Sequence, residues 1–117
     1  PTDLARLIIE VQRSARGESN RVLSQSVIQE MLSPVGVGPF AVGFTMSKIG
    51  EGWYFSHGGS NWGFRALVLA HKVKGYGLVI MTNADQGSTV INEISRRIQY
   101  TYNWDSVASA VGRGYRR

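Results

Sequence analysis

The chain has 117 residues, of which 43% are hydrophobic and 18% are charged, a composition that is typical of one globular domain and excludes an intrinsically disordered protein. No apolar run approaches the ~20 residues that cross a bilayer, and the N-terminus lacks the order of a signal peptide, so the sequence predicts a soluble chain and leaves its compartment open. The net charge of +5 admits an anionic partner, but the basic residues are scattered and lack the dense stripe of a nucleic-acid binder.

Metal ions and cofactors are not expected from the residue types. The chain has no cysteine, which excludes disulfides and thiolate metal sites. Its two histidines, His57 and His71, lack the paired carboxylates at helical spacing that would complete a metal site. We therefore predict no metal, no cofactor, no nucleic acid and no membrane among the partners of this chain.

Two helices are predicted in the first third of the chain. Segment 2–15 has apolar residues at the i, i+3, i+4, i+7 spacing of an amphipathic helix, with Thr2 or Asp3 available as its N-cap. Those apolar residues are Leu4, Leu7, Ile8 and Val11. After a polar connection, Ser24 can cap a short second helix over 25–32.

Four strands and a closing helix follow. Four strand-like runs are connected in chain order by short segments that contain glycine. This pattern predicts hairpins and an antiparallel sheet. The four runs are 40–47, 53–57, 64–72 and 77–83. A helix is predicted over 89–104, capped by a residue between Asp85 and Ser88, with one apolar face formed by Ile91, Ile94 and Ile98.

The runs ALVLA and LVIMT are apolar at consecutive positions, which is typical of strands that are covered on both faces. The predicted fold class is therefore α+β, an antiparallel three- to four-stranded sheet with N-terminal and C-terminal helices packed on it. Few helices are available for two faces, so an apolar patch should stay exposed. This predicts a homo-oligomer, formed by exchange of the N-terminal helices.

A histidine and two glycines follow the second predicted strand, at His57, Gly58 and Gly59. A glycine pair weakens a strand, and it usually marks a place where another backbone or a ligand comes close. By itself His57 has two interpretations, a surface histidine at the end of a strand or a functional group beside that gap.

The order of segments extends beyond this triplet. In chain order these segments are PTDLARLII, LSQSVIQEMLSP, VGPFAVGF and FSHGGSNWGFRALVLAHKVKGYGLVIMTNAD, before the closing helix. This order resembles the C-terminal third of the serine β-lactamase-like family, which contains class C β-lactamases, DD-peptidases (penicillin-binding proteins) and related esterases. The resemblance covers Pro1 to about Trp104. It rests on the H-G-G step, the W-G-F step, an apolar strand, a glycine turn and a T-N strand end in a fixed order.

The resemblance implies the C-terminal part of the β-lactamase/transpeptidase-like fold. Residues 1–105 would be the C-terminal segment of such a domain, and 106–117 a basic, disordered tail. Members of the family are often exported or periplasmic, and the substrate would be a small-molecule or peptide acyl compound. β-Lactam, peptide and ester substrates all remain open.

The resemblance also implies catalytic roles for four residues. His57, Gly58 and Gly59 match the Lys-Thr-Gly or His-x-Gly triplet of a strand beside the family's active site. The His57 side chain would hold a substrate carboxylate or join the proton network around the nucleophile, and the glycines would let an acyl substrate lie along the strand. The N–H of Ser60 would be one of two oxyanion donors, each worth roughly 3 kcal/mol of transition-state stabilisation.

Two neighbouring residues would lie at the rim of that site and bind substrate. These are Asn61 and Trp62. For Trp62 the residue type alone allows either stacking on a substrate or ordinary packing.

The family's nucleophile is absent from this sequence. No serine has a lysine three residues on, and no tyrosine has an asparagine two residues on, so neither Ser-x-x-Lys nor Tyr-x-Asn is present. In the family both elements precede the matched region. The missing N-terminal portion is therefore a second predicted partner, beside a second copy of the chain.

The sequence is compatible with three functions. The first is a C-terminal fragment of a serine hydrolase that forms an acyl-enzyme and is inactive alone. The second is a non-catalytic remnant of the family that acts as a self-associating binding or assembly module. The third is an independent enzyme that uses His57 with Ser56 or Ser60, which lacks an orienting carboxylate or lysine pattern.

Overall fold

A computed structural model describes residues 1–107 and contains three helices and one four-stranded sheet. The elements in chain order are α1 (Thr2–Ala15), α2 (Gln25–Met31), β1 (Thr45–Ile49), β2 (Gly52–Asn61), β3 (Phe64–His71), β4 (Gly77–Thr82) and α3 (Gly87–Thr101). The sheet is antiparallel throughout, in the order β1-β2-β3-β4, and helices from both ends of the chain pack on it. The predicted α+β class with an antiparallel sheet is confirmed.

The N-terminal helices occur where the apolar spacing predicts them, but the start of α1 differs. Pro1 is the N-cap residue and no side chain caps the helix, so the prediction of Thr2 or Asp3 as the cap was wrong. The Pro1 carbonyl accepts the first helical hydrogen bond, from the Ala5 N–H at 2.9 Å. The cap of α2 is confirmed, because the Ser24 hydroxyl accepts a hydrogen bond from the Val27 N–H.

The first strand was predicted too early in the chain. β1 begins at Thr45, and Phe40 makes only an isolated bridge to it. Gly38 and Gly43 have φ values of +109° and +77°, a backbone conformation that interrupts an extended strand. The segment between helix α2 and β1 is therefore mainly loop.

The second strand continues through its glycine pair and does not end at His57 as predicted. Gly58 and Gly59 pair with residues of β3, and the ladder runs on to Asn61 opposite Phe64. A two-residue connection then reverses the chain, with Gly63 at a φ of +76°. β2 is consequently ten residues long, whereas its neighbour β1 has only five.

The sheet is covered on both faces, as its apolar runs predict. On one face, here called the α1 face, helices α1 and α2 pack on β2 and β3. The buried residues of this cluster are Ile8, Val11, Ile28, Leu32, Met46, Phe55, Val68 and Ala70. On the opposite α3 face, the buried cluster consists of Tyr54, Leu69, Leu78 and Trp104, with Ile98 of α3 packed against it.

Helix α3 packs on the sheet with two of the three predicted residues, Ile91 and Ile98, but not with Ile94. Its buried positions are Gly87, Ile91 and Ser95, whereas Ile94 is 40% exposed. Gly87 sets this orientation, because a Cβ there would collide with the Thr82 side chain. The N-cap is Gln86, which lies within the predicted range Asp85 to Ser88, but no side chain bonds to the helix start.

The chain after α3 folds back onto the sheet. Trp104 and Asp105 are buried, and Ser106 and Val107 are half-buried. The Ser106 hydroxyl donates a 2.7 Å hydrogen bond to the Gln99 side chain. The tail predicted for 106–117 thus begins with two packed residues, and residues 108–117 lie outside the described part of the chain. Within residues 1–107, no helix combines the length and apolar character that crossing a membrane requires.

Candidate functional site

The outer half of β2 has an unpaired side. β1 pairs with β2 only from Gly52 to Ser56, so residues 57–61 are bonded to β3 on one side and to no strand on the other within the described chain. All five of these residues are exposed. The six predicted site residues, His57 to Trp62, therefore lie together along one open edge and the turn that follows it.

The backbone of this edge alternates in direction. The Lys72 N–H donates a 2.8 Å hydrogen bond to the Trp53 carbonyl, so the backbone N–H and C=O of Trp53 point toward β3. Since successive residues of a strand point their N–H and C=O groups to opposite sides, Gly58 and Ser60 direct theirs to the open side. The N–H of Ser60 thus points away from the sheet, in the direction that an oxyanion donor would require.

The imidazole of His57 is free of partners within the described residues. It lies on the α1 face, directly opposite Val68 of β3, and no side chain of residues 1–107 hydrogen-bonds to it or forms an ion pair with it. Gly59 lies on the same face two residues further along β2. An imidazole in this position can donate to or accept from a ligand that approaches the open edge.

The two glycines are not required by backbone conformation. Neither Gly58 nor Gly59 has a positive φ. A Cβ at position 58 would meet only the Ala66 carbonyl oxygen, at 4.0 Å, so the described fold has room for a side chain there. At position 59 a Cβ would contact the Ala66 Cβ at 3.3 Å, which is a close fit. Packing within the described residues therefore does not require a glycine at position 58. Such a glycine is expected where another molecule comes close to the strand.

The turn after β2 holds the rim of the site. Asp85 accepts a 2.7 Å hydrogen bond from the Gly63 N–H and lies 3.7 Å from the Arg65 guanidinium. The guanidinium in turn donates to the carbonyls of Asn61 and Phe64, at 2.5 and 2.8 Å. These contacts fix the backbone of the turn from the side of α3 and leave its other side open.

Trp62 is 95% exposed, so within the described residues it does not pack on the core. It borders an open cleft of about 550 Å³ together with Ser60, Asn61, Arg65 and Asp85. Trp104, by contrast, is a core residue. The ordinary packing that the residue type also allows is therefore not seen for Trp62 within residues 1–107.

An apolar surface lies beside His57 on the α1 face. Helices α1 and α2 cover only the half of the sheet near the buried cluster, and Phe64 and Met81 are 59% and 48% exposed. Register places Gly59, Ala66 and Met81 side by side across three strands. The open edge therefore continues into an uncovered apolar strip, which in soluble proteins usually marks a contact with another chain or ligand.

A hydrogen-bonded cluster on the opposite face was not predicted from the sequence. Asp105 accepts a hydrogen bond from the Tyr54 hydroxyl and lies 2.8 Å from the His71 ring through its other oxygen. The Nδ1 atom of His71 accepts from the N–H groups of Val73 and Lys74, at 2.9 and 2.8 Å. Because Nδ1 is an acceptor, the ring proton lies on Nε2, which donates to Asp105.

This cluster fastens the chain end to the sheet. His71 and Asp105 are 4% and 7% exposed, and Lys74 approaches Asp105 from the surface at 3.5 Å. Gly52 leaves room for the cluster, since a Cβ there would lie 2.6 and 2.7 Å from the Asp105 carboxylate oxygens. Because the cluster is buried and lies on the α3 face, it is a structural contact and not part of the open edge.

The cluster makes stability depend on pH at both extremes. Burial alone would raise the pKa of Asp105, but the hydrogen bonds from Tyr54 and His71 outweigh it and hold that pKa below its ordinary value. Burial and the bond to Asp105 raise the pKa of Tyr54 to about 12. Asp105 thus stabilises the fold above its unfolded pKa of about 4, and Tyr54 does so below its unfolded pKa of about 10.

We expect the free energy of unfolding, measured with urea at a series of pH values, to fall as acid protonates Asp105 below about pH 4. It should fall again as the pH rises from about 10 toward 12, where the unfolded state releases the Tyr54 proton first. The variant Tyr54→Phe should lose stability at neutral pH and should lack the part of the alkaline decline that Tyr54 causes. A decline of equal size in that variant would contradict the assignment.

Comparison of the chain with protein-family models, with curated proteins and with solved structures gave no match. Assignment of a function therefore depends on the residues and geometry of the open edge. The strongest of these observations are the unpaired half of β2, the free imidazole of His57 and the outward N–H of Ser60.

Proposed function

We propose that this chain is the C-terminal part of a serine hydrolase of the β-lactamase or penicillin-binding-protein type. In this proposal residues 57–61 of β2 form one side of a site for acyl transfer, and the nucleophile belongs to a segment outside this sequence. The observation that carries the proposal is the open edge, where Gly58 and Ser60 direct unpaired backbone groups outward beside a free His57.

The chemistry follows from this arrangement. An acyl substrate lies along the open edge as an added strand and exchanges hydrogen bonds with Gly58 and Ser60. The serine of the missing segment attacks the carbonyl carbon, and the developing oxyanion accepts a hydrogen bond from the Ser60 N–H. The leaving group departs with the proton that the serine hydroxyl gives up, and water then hydrolyses the acyl-enzyme to release the acid and regenerate the serine.

His57 and Trp62 would choose and orient the substrate. When protonated, the imidazole of His57 pairs with a substrate carboxylate, and when neutral it takes part in proton transfer to the leaving group. The exposed indole of Trp62 provides an apolar surface at the end of the edge.

An enzyme made of this chain alone is disfavoured by the side-chain directions. Ser56 and Ser60 are at even positions of β2 and lie on the α3 face, whereas His57 lies on the α1 face. The Ser56 hydroxyl lies 3.5 Å from the Thr45 carbonyl, to which it donates. Neither serine is therefore directed toward the imidazole that would have to activate it.

A non-catalytic assembly module is the second candidate. The uncovered strip with Phe64 and Met81 favours it, since an exposed apolar surface of this kind also suits a protein partner. This candidate predicts association without covalent chemistry in any form of the protein.

Intact-mass spectrometry separates these functions. The 117-residue chain, folded by circular dichroism, should show no mass increase after incubation with a fluorophosphonate or with a penicillin. A mass increase would place a nucleophile within these residues and overturn the fragment proposal.

The second arm uses the complete protein. Its coding transcript should encode a Ser-x-x-Lys segment upstream of Pro1, and the complete protein should be acylated on that serine. A transcript without such a segment, or a complete protein that stays unlabelled by both reagents, would overturn the proposal and favour the assembly module.

A further inference from the structure

The turn between β2 and β3 is not one of the turns that hairpins favour. Trp62 and Gly63 form its two-residue connection, and Gly63 has a φ of +76° whereas Trp62 does not have a positive φ. The two-residue turns that fit the twist of a hairpin have a positive φ at the first central residue. Other turns splay the strands that they join, so this turn depends on contacts from outside it.

Arg65 makes such contacts. Its Nη1 atom donates hydrogen bonds to the carbonyls of Asn61 and Phe64, which are the last pair of the β2–β3 ladder. By the alternation that Trp53 sets, these two residues also bond to each other across the strands. A carbonyl oxygen has two lone pairs, so the guanidinium binds both acceptors without displacing the ladder bonds. One charged group thus holds the turn end of the hairpin together.

Asp85 holds the same turn from the side of α3. One of its carboxylate oxygens accepts a 2.7 Å hydrogen bond from the Gly63 N–H and lies 3.7 Å from the Arg65 guanidinium. Strand β4 brings Asp85 to this place, because Thr82 ends that strand opposite Arg65 and donates a 3.0 Å hydrogen bond to the Arg65 carbonyl. The turn is therefore tied to the segment that joins β4 to α3.

These contacts lie next to the proposed oxyanion donor. Ser60 is directly opposite Arg65, in a pair whose backbone groups point away from each other and share no hydrogen bond. The direction of the Ser60 N–H therefore depends on the bonded pairs on either side of it. One of these, Asn61 with Phe64, is at the end of the ladder, where strands open most easily.

We propose that Arg65 and Asp85 are positioning residues for acyl transfer, which hold the last bonded pair of the hairpin and so keep the Ser60 N–H aligned with the developing oxyanion. This inference rests on the proposed function. Both residues act through the backbone of the turn and not on the reacting atoms. An oxyanion donor must lie about 2.7–3.1 Å from the oxyanion, so a small rotation at Ser60 weakens its hydrogen bond in the transition state.

Single-turnover acylation of the complete protein tests the proposal, with a fluorescent penicillin or a chromogenic ester at a series of concentrations. Arg65→Met removes the donors and keeps the apolar stem, and it should lower the limiting rate of acylation by about tenfold or more. The half-saturating concentration should stay within about twofold, because the oxyanion forms only in the transition state.

Two further variants separate positioning from a general effect of charge. Arg65→Lys should recover most of the rate, since an ammonium can still donate to the turn carbonyls. Asp85→Ala should also lower the rate, and combined with Arg65→Met it should lose less than the product of the two single effects, because both residues act on one turn. Effects that multiply in full would contradict a shared role.

The amplitude of labelling distinguishes positioning from misfolding. A variant that partly unfolds labels less protein at the normal rate, whereas a loss of positioning lowers the rate at full amplitude. Arg97→Met is the matched control, since it removes a guanidinium that pairs with Glu93 on α3, and it should leave the rate unchanged. If the wild-type complete protein is acylated and Arg65→Met reacts as fast, the positioning role is wrong and the proposed function stands. Absence of acylation in the wild type would overturn both.

Amide hydrogen exchange of the 117-residue chain tests the turn contact without acyl chemistry. In NMR spectra of Arg65→Met, the Asn61 and Phe64 amides should exchange about fivefold faster or more than in the wild type. The amide of Val68, in the middle of β3, should be unaffected, and Arg97→Met should change none of the three. Equal exchange of Asn61 and Phe64 in wild type and Arg65→Met would overturn the proposal, whatever the activity of the complete protein.

Discussion

Replacing Asp105 with alanine is expected to lower the free energy of unfolding by about 3 to 5 kcal/mol. The substitution leaves the Tyr54 hydroxyl and the His71 Nε2–H without an acceptor, and both groups are buried. Each unsatisfied buried donor costs about 1–3 kcal/mol, and the lost packing against Gly52 adds to this. Denaturation by urea at pH 7, followed by circular dichroism, measures the change.

Two further variants calibrate this result. Asp105→Asn keeps the shape of the side chain but has one acceptor oxygen where aspartate has two. It can accept from only one of the two donors, so the loss of unfolding free energy should be intermediate. Glu93→Ala removes a surface carboxylate that pairs with Arg96 and Arg97, and it should cost less than about 1 kcal/mol. A loss for Asp105→Ala no larger than that for Glu93→Ala would contradict the structural role of the cluster.

Replacing His57 with alanine in the complete protein is expected to lower the rate of acylation by about 100-fold. The reason is the proposed role of the imidazole, which holds a substrate carboxylate or moves a proton beside the nucleophile. His57→Lys should recover most of the acylation rate, because many members of the serine β-lactamase-like family have lysine at the matching position. Single-turnover labelling with a fluorescent penicillin, or with a chromogenic ester, measures the rate.

Stability measurements distinguish this role from a folding defect. His57 is exposed and unpaired within the described residues, so His57→Ala should change the free energy of unfolding of the 117-residue chain by less than about 0.5 kcal/mol. Unchanged acylation by His57→Ala, or a lysine variant as slow as the alanine variant, would contradict the assigned role.

Local signals in the sequence predicted most of the elements. Apolar spacing predicted α1 within its observed bounds, Ser24 was recognised as the cap of α2, and glycine turns predicted the antiparallel hairpins. These features depend on residues within a few positions of each other, which is why the sequence reveals them. The orientation of α3 was harder to predict from the sequence, because it depends on how closely Gly87 approaches Thr82 of β4.

Features that depend on distant residues could not be predicted. Asp105 lies 34 residues from His71 and 51 from Tyr54, and no spacing rule connects them. The candidate site could be predicted only in part, for a similar reason. The triplet beginning at His57 was visible in the sequence, but its open edge exists because β1 stops opposite Ser56, and β1 itself was predicted too early.

The sheet order also has a consequence for the kinetics of folding. Each strand of this meander pairs with its neighbour in sequence, so the hairpins close short loops and form early. The contact of Asp105 with Tyr54 closes a much longer loop and forms late. We therefore expect substitutions at Asp105 to accelerate unfolding more than they slow folding, so that the cluster sets the lifetime of the folded chain.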